Sequence, residues 1–482
     1  MTATRLAKSA PLRRVRAAVP AACFLGAALS AAGSAHAQTT TAPVTPQQAA
    51  APPATSTGLS WHGITLYGIV DIALQYDTHA APFSDYFMAG SADIVQKNSR
   101  RAITGVTSNN LSQSRIGLQG MEPLGFADWS GVFKAETFFN PASGDISDAA
   151  KSLAQNNGRS LANQTTNLDS SVSGQAFQQL FAGLSSPTFG AVTFGRQNTV
   201  LADGILKYDP NAASQAFSLI GLSGTAAGGG DTQDRRMDSS LKYGVTYQKV
   251  RLGALYKFSN SGNSANSAVE ASLGGDYAGF SADAYYVKVK SAIALSPLSA
   301  AQVTDLPATG FSLSNSLAGT ISDNTTFGLL AMYSFAPFKF YASYENIKFA
   351  NPETPLPAGF TVAAYTLAFV NNAAYAHEKI LQVYWAGAKY SVNANLDLTV
   401  AYYGYHQSNY ATTLATAGCA TSVSATCSGE LRDLSFDAVY KLSKRFDAFA
   451  GVMYSDVADG LANGYIYSKN NFNPTLGVRF TF

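Results

Sequence analysis

Asn473-Pro474-Thr475-Leu476-Gly477-Val478-Arg479-Phe480-Thr481-Phe482 closes the chain on an aromatic residue. Steps of two from the end collect Phe482, Phe480, Val478 and Leu476 on one face and Thr481, Arg479, Gly477 and Thr475 on the other. One face is apolar and the other is polar, which is the period of a β-strand. A strand of a soluble sandwich can alternate this way too. A charged Arg in the middle of the polar face, with aromatic residues at the tip, fits a strand that turns one side to lipid and the other to a lumen.

The amino terminus carries Arg5, Lys8, Arg13, Arg14 and Arg16, then an Ala-rich apolar stretch from 17 to 32, then Ala35-His36-Ala37. Basic, apolar and small-x-small segments in that order predict a secretory signal over residues 1–37. Removing it leaves 27 basic against 30 acidic residues, so no concentrated basic face points to nucleic acid. Cys23 goes with the signal. Cys419 and Cys427 remain, in a Gly, Ser, Thr and Ala segment. In an oxidising compartment they predict a short disulfide, and no His, Asp or Glu between them favours a metal instead.

Past the signal no long uninterrupted apolar run exists, which argues against a helical membrane span. Residues 38–60 are Thr, Ala, Pro and Gln-rich, a flexible leader before a folded region over 61–482. From Trp61 onward alternating stretches are joined by links of a few residues, such as Tyr247-Gln248-Lys249, Tyr277-Ala278-Gly279 and Phe335-Ala336-Pro337. Long Asn, Ser, Gly and Ala-rich segments separate the pairs, at 78–111, 141–175, 198–235, 291–323, 350–377, 407–429 and 458–472. Short links alternating with long loops are the pattern of an outer-membrane barrel, with turns in the periplasm and loops outside. The reading is an all-β transmembrane antiparallel barrel of sixteen strands, with eighteen as the competing count if a pair hides in the longest loops. Either number encloses a water-filled lumen.

Several stretches also resemble the general diffusion porins of the Gram-negative outer membrane, in the branch found in β-proteobacteria. They are Thr65-Leu66-Tyr67-Gly68-Ile69-Val70-Asp71, Ser114-Arg115-Ile116-Gly117-Leu118-Gln119-Gly120, and Phe189-Gly190-Ala191-Val192-Thr193-Phe194-Gly195-Arg196-Gln197. Arg236-Met237-Asp238-Ser239-Ser240-Leu241-Lys242-Tyr243, the run from Tyr440 to Arg445, and the terminal segment from Leu476 complete the set. Their order and spacing, rather than any single motif, carry the similarity. The leader, the link from Glu122 to Asp128 and the Phe at 446 depart from the family pattern.

The resemblance implies a homotrimer in outer-membrane lipid, each barrel narrowed by its third external loop folding into the lumen. It also implies passage of small hydrophilic solutes and ions without a cofactor. In this chain that loop is 198–235, with Asp203, Lys207, Asp209, Asp231 and Asp234. Acidic groups on such a loop, facing basic groups on the wall, would set a transverse field across the narrowest section. Parity places Arg115, Lys134, Arg236 and Lys242 on the wet face, together with Asp71, Glu136 and Arg479. Each has a plain alternative, solvation anywhere along a wide wall. Arg196 falls by simple alternation on the lipid face with Val192 and Phe194, and joins the basic wall only if a bulge turns it inward. The wall cations lean toward anions. A binding track of inward Tyr285, Tyr341 and Tyr403 would mark a substrate-specific channel instead. Enzymatic readings lack support, because His62, His79, His377 and His406 stand in no identifiable Ser-His spacing.

Overall fold

The computed structural model describes residues 59–167, 176–222, 235–259, 264–362, 364–410 and 424–482. The segments expected as signal and, nearly all of it, as leader, together with Asp231, Asp234 and Cys419, lie outside these. Cys427 is disulfide-bonded.

Sixteen antiparallel strands form one closed circuit: β1 (Ile64–Ala80), β2 (Arg115–Pro123), β3 (Ser130–Phe138), β4 (Gln179–Ser186), β5 (Gly190–Asn198), β6 (Arg236–Tyr247), β7 (Val250–Lys257) and β8 (Ala268–Tyr277) make the first half. The second half is β9 (Phe280–Ser296), β10 (Ser316–Phe335), β11 (Phe338–Ala350), β12 (Lys379–Ser391), β13 (Leu396–Gln407), β14 (Gly429–Lys441), β15 (Phe446–Asp459) and β16 (Asn470–Thr481). Each pairs with its neighbours, and β16 returns to β1 with Thr481 opposite Ile69 and Leu476 opposite Leu74. The terminal residue completes the seam: Gly68 N–H donates to the Phe482 carbonyl and Phe482 N–H to that of Gly68, both at 3.0 Å. On β16, Leu476, Val478 and Phe480 are exposed on the outer face while Thr475 is buried. Closure leaves no unpaired edge, the condition for crossing a bilayer with strands.

Among the described residues, four short strands lie outside the circuit. Leu59–Trp61 pairs with Ile64–Leu66, so the last residues of the expected leader already belong to the sheet. Arg101–Ser108 pairs with the upper half of β1 where β2 does not reach. Thr361–Val362 and Tyr365–Asn371 form a hairpin, the latter running parallel to the extension of β10. β9 and β10 reach Ser296 and back to Ser316, well into a stretch whose sequence reads as loop. The cause is an irregularity between Val289 and Ala292, with Ser291 at φ 50°, which breaks the alternation.

The third external loop enters the barrel as α2 (Val200–Tyr208), following α1 (Ala149–Ala154) of the second loop in chain order. Thr199 caps it by accepting from Ala202 N–H, and Asp203 stands in its first turn, both favourable at a helix amino terminus. Val200, Leu201, Ile205 and Tyr208 pack with Phe87, Ile94 and Val95 of the first loop and with Leu255, Val287, Leu330, Val383, Trp385 and Tyr403 of the wall. The apolar core therefore sits inside the barrel, against the inner faces of β7 to β15. It occupies one side of the lumen. The side bounded by β1 to β6 keeps the charged wall.

Candidate functional site

The basic wall is assembled by strand register. Tyr67 lies opposite Gly117, and Gly117 opposite Glu136, so the three stand abreast on the inner face of β1, β2 and β3. A Cβ at Gly117 would lie 2.5 Å from the Tyr67 hydroxyl; its absence lets the phenol reach across and donate to Glu136 at 2.8 Å. Gln179 on β4 donates to the other oxygen at 2.9 Å. Arg115 approaches the same carboxylate at 3.7 Å and Lys134 at 3.4 Å. Glu136 is sealed at 1% exposure whereas Arg115 stays 30% exposed, so the cations face water and the carboxylate lies behind them. Arg236 lies over the Phe138 ring at 4.6 Å, extending this cationic surface onto β6.

Across from it stands the free edge of α2. Asp203 is 28% exposed and ion-paired with Lys242, whose ammonium also donates to the Asn198 carbonyl at 2.9 Å. Leu206 is 40% exposed. Asp203 is thus partly neutralised where it stands.

The remaining members of the predicted acidic loop behave differently. Asp209 ends α2 and is buried, accepting from the Tyr403 hydroxyl at 2.5 Å and from Ala213 N–H at 2.7 Å. Burial holds its carboxyl above the usual range, offset in part by the Tyr403 bond. It anchors the loop to β13 and does not face the opening. The Trp385 indole donates to the Tyr208 carbonyl at 3.0 Å, and Glu270 accepts Val200 N–H at 2.6 Å, so strands β8, β12 and β13 hold both ends of the helix. At Gly204 a Cβ would fall 2.1 Å from the Tyr285 hydroxyl, which sets how closely helix and wall approach. Tyr285, Tyr341 and Tyr403 are all buried, because this loop lies over them. They form no open track. Tyr403→Phe is expected to weaken loop docking by roughly 1 to 3 kcal/mol, read as increased open-channel current noise in a barrel that still folds.

Asp71 faces inward but is sealed at 0% exposure. Its carboxylate accepts the backbone N–H groups of Asn110 at 2.9 Å, Leu111 at 2.9 Å and Ser112 at 3.0 Å. The Asn110 carbonyl in turn accepts Gln215 and Ala216 N–H at 2.9 and 3.0 Å, so Asp71 supports the far landing point of the third loop. Arg479 pairs with Asp447 at 2.7 Å on the inner face next to Asp71. Arg196 stands opposite Leu180, whose side chain is exposed on the outer face, and pairs with Asp238 at 3.4 Å. The bulge that could have turned it falls on β6, at Asp238 and Ser239, so alternation on β5 continues and Gln197 turns inward. Arg196 is not part of the lumen row.

A second charged group was not singled out by the sequence. Arg251 on β7 donates to Asp283 at 3.0 Å and to the Tyr208 hydroxyl at 3.1 Å, and is ion-paired with Asp276. Lys207 lies 3.6 Å from Asp283 and 4.0 Å from Asp276. Inward parity on β7, β8 and β9 marks Arg251, Asp276 and Asp283; their meeting with α2 is a tertiary event that parity does not carry.

Comparison with known proteins agrees with this architecture. A family model described as Gram-negative porin matches residues 21–460. An outer membrane porin protein of Bordetella pertussis is 26% identical over 201 residues, which is 41% of this chain and 43% of that relative's own length. Among solved structures, the anion-selective porin from Comamonas acidovorans aligns over 87% of this chain and 99% of its own, with a TM-score of 0.55 and 17% identity. The trimer form of in-vitro folded OmpT of Vibrio cholerae aligns over 87% and 99%, with a TM-score of 0.52 and 14% identity. At these identities the two structures share the fold. With the family model spanning most of the polypeptide and the sixteen-stranded circuit closed, the chain belongs to the Gram-negative porin family and is a protein of the outer membrane.

Proposed function

We propose that the protein is a passive channel through which small hydrophilic solutes and ions diffuse across the outer membrane, without a cofactor or energy coupling. The observation that carries this reading is the charged inner wall of β2, β3 and β6 facing the edge of α2 inside a closed barrel. Apolar outer faces require lipid, and a polar wall on which Arg115 stays 30% exposed requires water on the other side. The assembly is read as a homotrimer, for which the trimer form of a structural neighbour is the support.

Among the described residues at this section, Arg115, Lys134, Arg236 and Lys242 stand against Glu136 and Asp203. The excess of cations favours anions. With refolded protein in planar bilayers under a potassium chloride gradient, the reversal potential is expected to have the sign of chloride preference. A potassium preference would overturn this assignment while leaving the channel itself intact. The covered tyrosines argue against a specific aromatic track along β9, β11 and β13.

A further inference from the structure

Two cavities flank the free edge of α2 and share Asn198, Asp203 and Lys242. The smaller one, which includes Lys134, Gln179 and Thr193, belongs to the section already described. The larger, about 220 Å³, lies between α2 and the inner wall of β6 to β9. It exceeds the roughly 150 Å³ cavity known to accept a benzene ring. Val200, Leu206 and Tyr285 give it apolar sides, and Lys207, Arg251 and Ser272 reach it among its polar groups. The partial exposure of Asp203 and Leu206 leaves it open to the lumen.

Its cations are not equally engaged. Lys242 is held by Asp203 and the Asn198 carbonyl. Arg251 is spent on Asp283, Asp276, the Tyr208 hydroxyl, Ser281 and the Gly275 carbonyl. Asp283 accepts from Arg251 and from Tyr208. Lys207 is different: its ammonium is ion-paired with Asp283 at 3.6 Å and Asp276 at 4.0 Å and lies 4.6 Å from the Tyr208 ring, separations longer than a hydrogen bond. Its side chain is only 10% exposed. An ammonium carries three donors, and two long ion pairs leave room for a closer acceptor in a buried place. A ligand that supplies an anionic acceptor there, on a compact apolar body that fills the space beside Leu206 and Tyr285, meets both needs.

We propose that this cavity is a subsite for a small organic anion, a carboxylate on an apolar body about the size of one aromatic ring, received by Lys207. The subsite rests on the channel reading, since a permeating solute reaches it through the lumen. The lining holds three cations, Lys207, Lys242 and Arg251, against the carboxylates Asp203 and Asp283. Asp276, outside the lining, is shared by Arg251 and, at 4.0 Å, Lys207.

The test uses the full refolded protein and benzoate as the probe, with benzamide supplying the ring without the charge and acetate the charge without the ring. In planar bilayers, benzoate is expected to reduce the chloride current saturably, while benzamide and acetate at the same concentration do not. Each variant is read against its own unblocked current. Lys207→Gln is expected to raise the half-blocking concentration roughly ten- to a hundredfold, the span of one charge-assisted hydrogen bond. Ser272→Leu, which fills the cavity and keeps Lys207, is expected to abolish the block. Calorimetric titration of benzoate into detergent-solubilised protein reads the same site without conduction and should show the same ranking. Wild-type current steps with no saturable benzoate effect, or a block unchanged in both variants, would overturn the subsite and leave the channel standing. Absence of current from folded protein that still binds benzoate would instead refute the channel.

Discussion

Asp71→Ala is expected to be the most damaging single substitution in the inner wall. The carboxylate is fully buried and accepts three backbone N–H groups, from Asn110, Leu111 and Ser112. Alanine removes both acceptor oxygens and leaves the three donors in a place sealed from bulk water. At about 1 to 3 kcal/mol for each unmet buried group, with partial relaxation, the cost is roughly 3 to 6 kcal/mol. The consequence extends beyond stability. The segment those bonds hold carries the Asn110 carbonyl on which Gln215 and Ala216 land, and the chain continues directly into Arg115. The variant should therefore show a lower thermal midpoint and also a third loop released at its far end, seen as larger and unsteady conductance. Asp71→Asn keeps the shape and one acceptor oxygen and should fall between. Wild-type midpoint and current in Asp71→Ala would show that the 109–114 segment is held by other contacts.

The largest expected effect on permeation comes from inverting the wall. Arg115→Glu combined with Lys134→Glu converts a surplus of two positive charges among the six named groups into a surplus of two negative ones. Field lines in a narrow, low-dielectric section are focused rather than screened, so the sign of the local charge decides which ion enters more readily. The reversal potential in a tenfold salt gradient is expected to change sign, by tens of millivolts against the limit of about 59 mV for a monovalent ion. Arg115→Ala alone should shift it in the same direction without inversion. Two carboxylates beside Glu136 strain the wall, so the single variant guards against a folding failure. If selectivity and conductance in Arg115→Ala equal those of wild type, Arg115 is a solvated wall residue and the constriction lies elsewhere.

Much of the barrel was legible because lipid and water sort side chains with a period of two. All sixteen strands are found where alternation and short links mark them, and all but β9 and β10 end within a few residues of those stretches. Where alternation breaks, the reading stops: the irregularity at Val289 to Ala292 hides the outer portions of β9 and β10, and the strand at 101–108 sits inside a polar loop. Parity also separates lumen from lipid for Arg115, Lys134, Glu136 and Lys242, and for Arg196 on the opposite side. Parity does not reveal what covers an inward residue. Asp71, Tyr285 and Tyr403 all turn inward, yet the first and third loops fold over them, and Asp209 of the third loop points back to the wall; long-range packing of loops leaves no local periodic mark. Glu270 was passed over and Lys207 was placed in the third loop without a role for the same reason, since their roles arise only when α2 meets β8 and β9.

The central claim is that this barrel encloses a continuous aqueous path despite the apolar core on one side of its lumen. Single-molecule recording in planar bilayers tests it most directly. Refolded protein is expected to insert in discrete conductance steps that scale with salt concentration, and to close in three equal sublevels under voltage. Protein that is folded, as judged by strand-rich circular dichroism and resistance to detergent, yet inserts without any ion current would contradict the account.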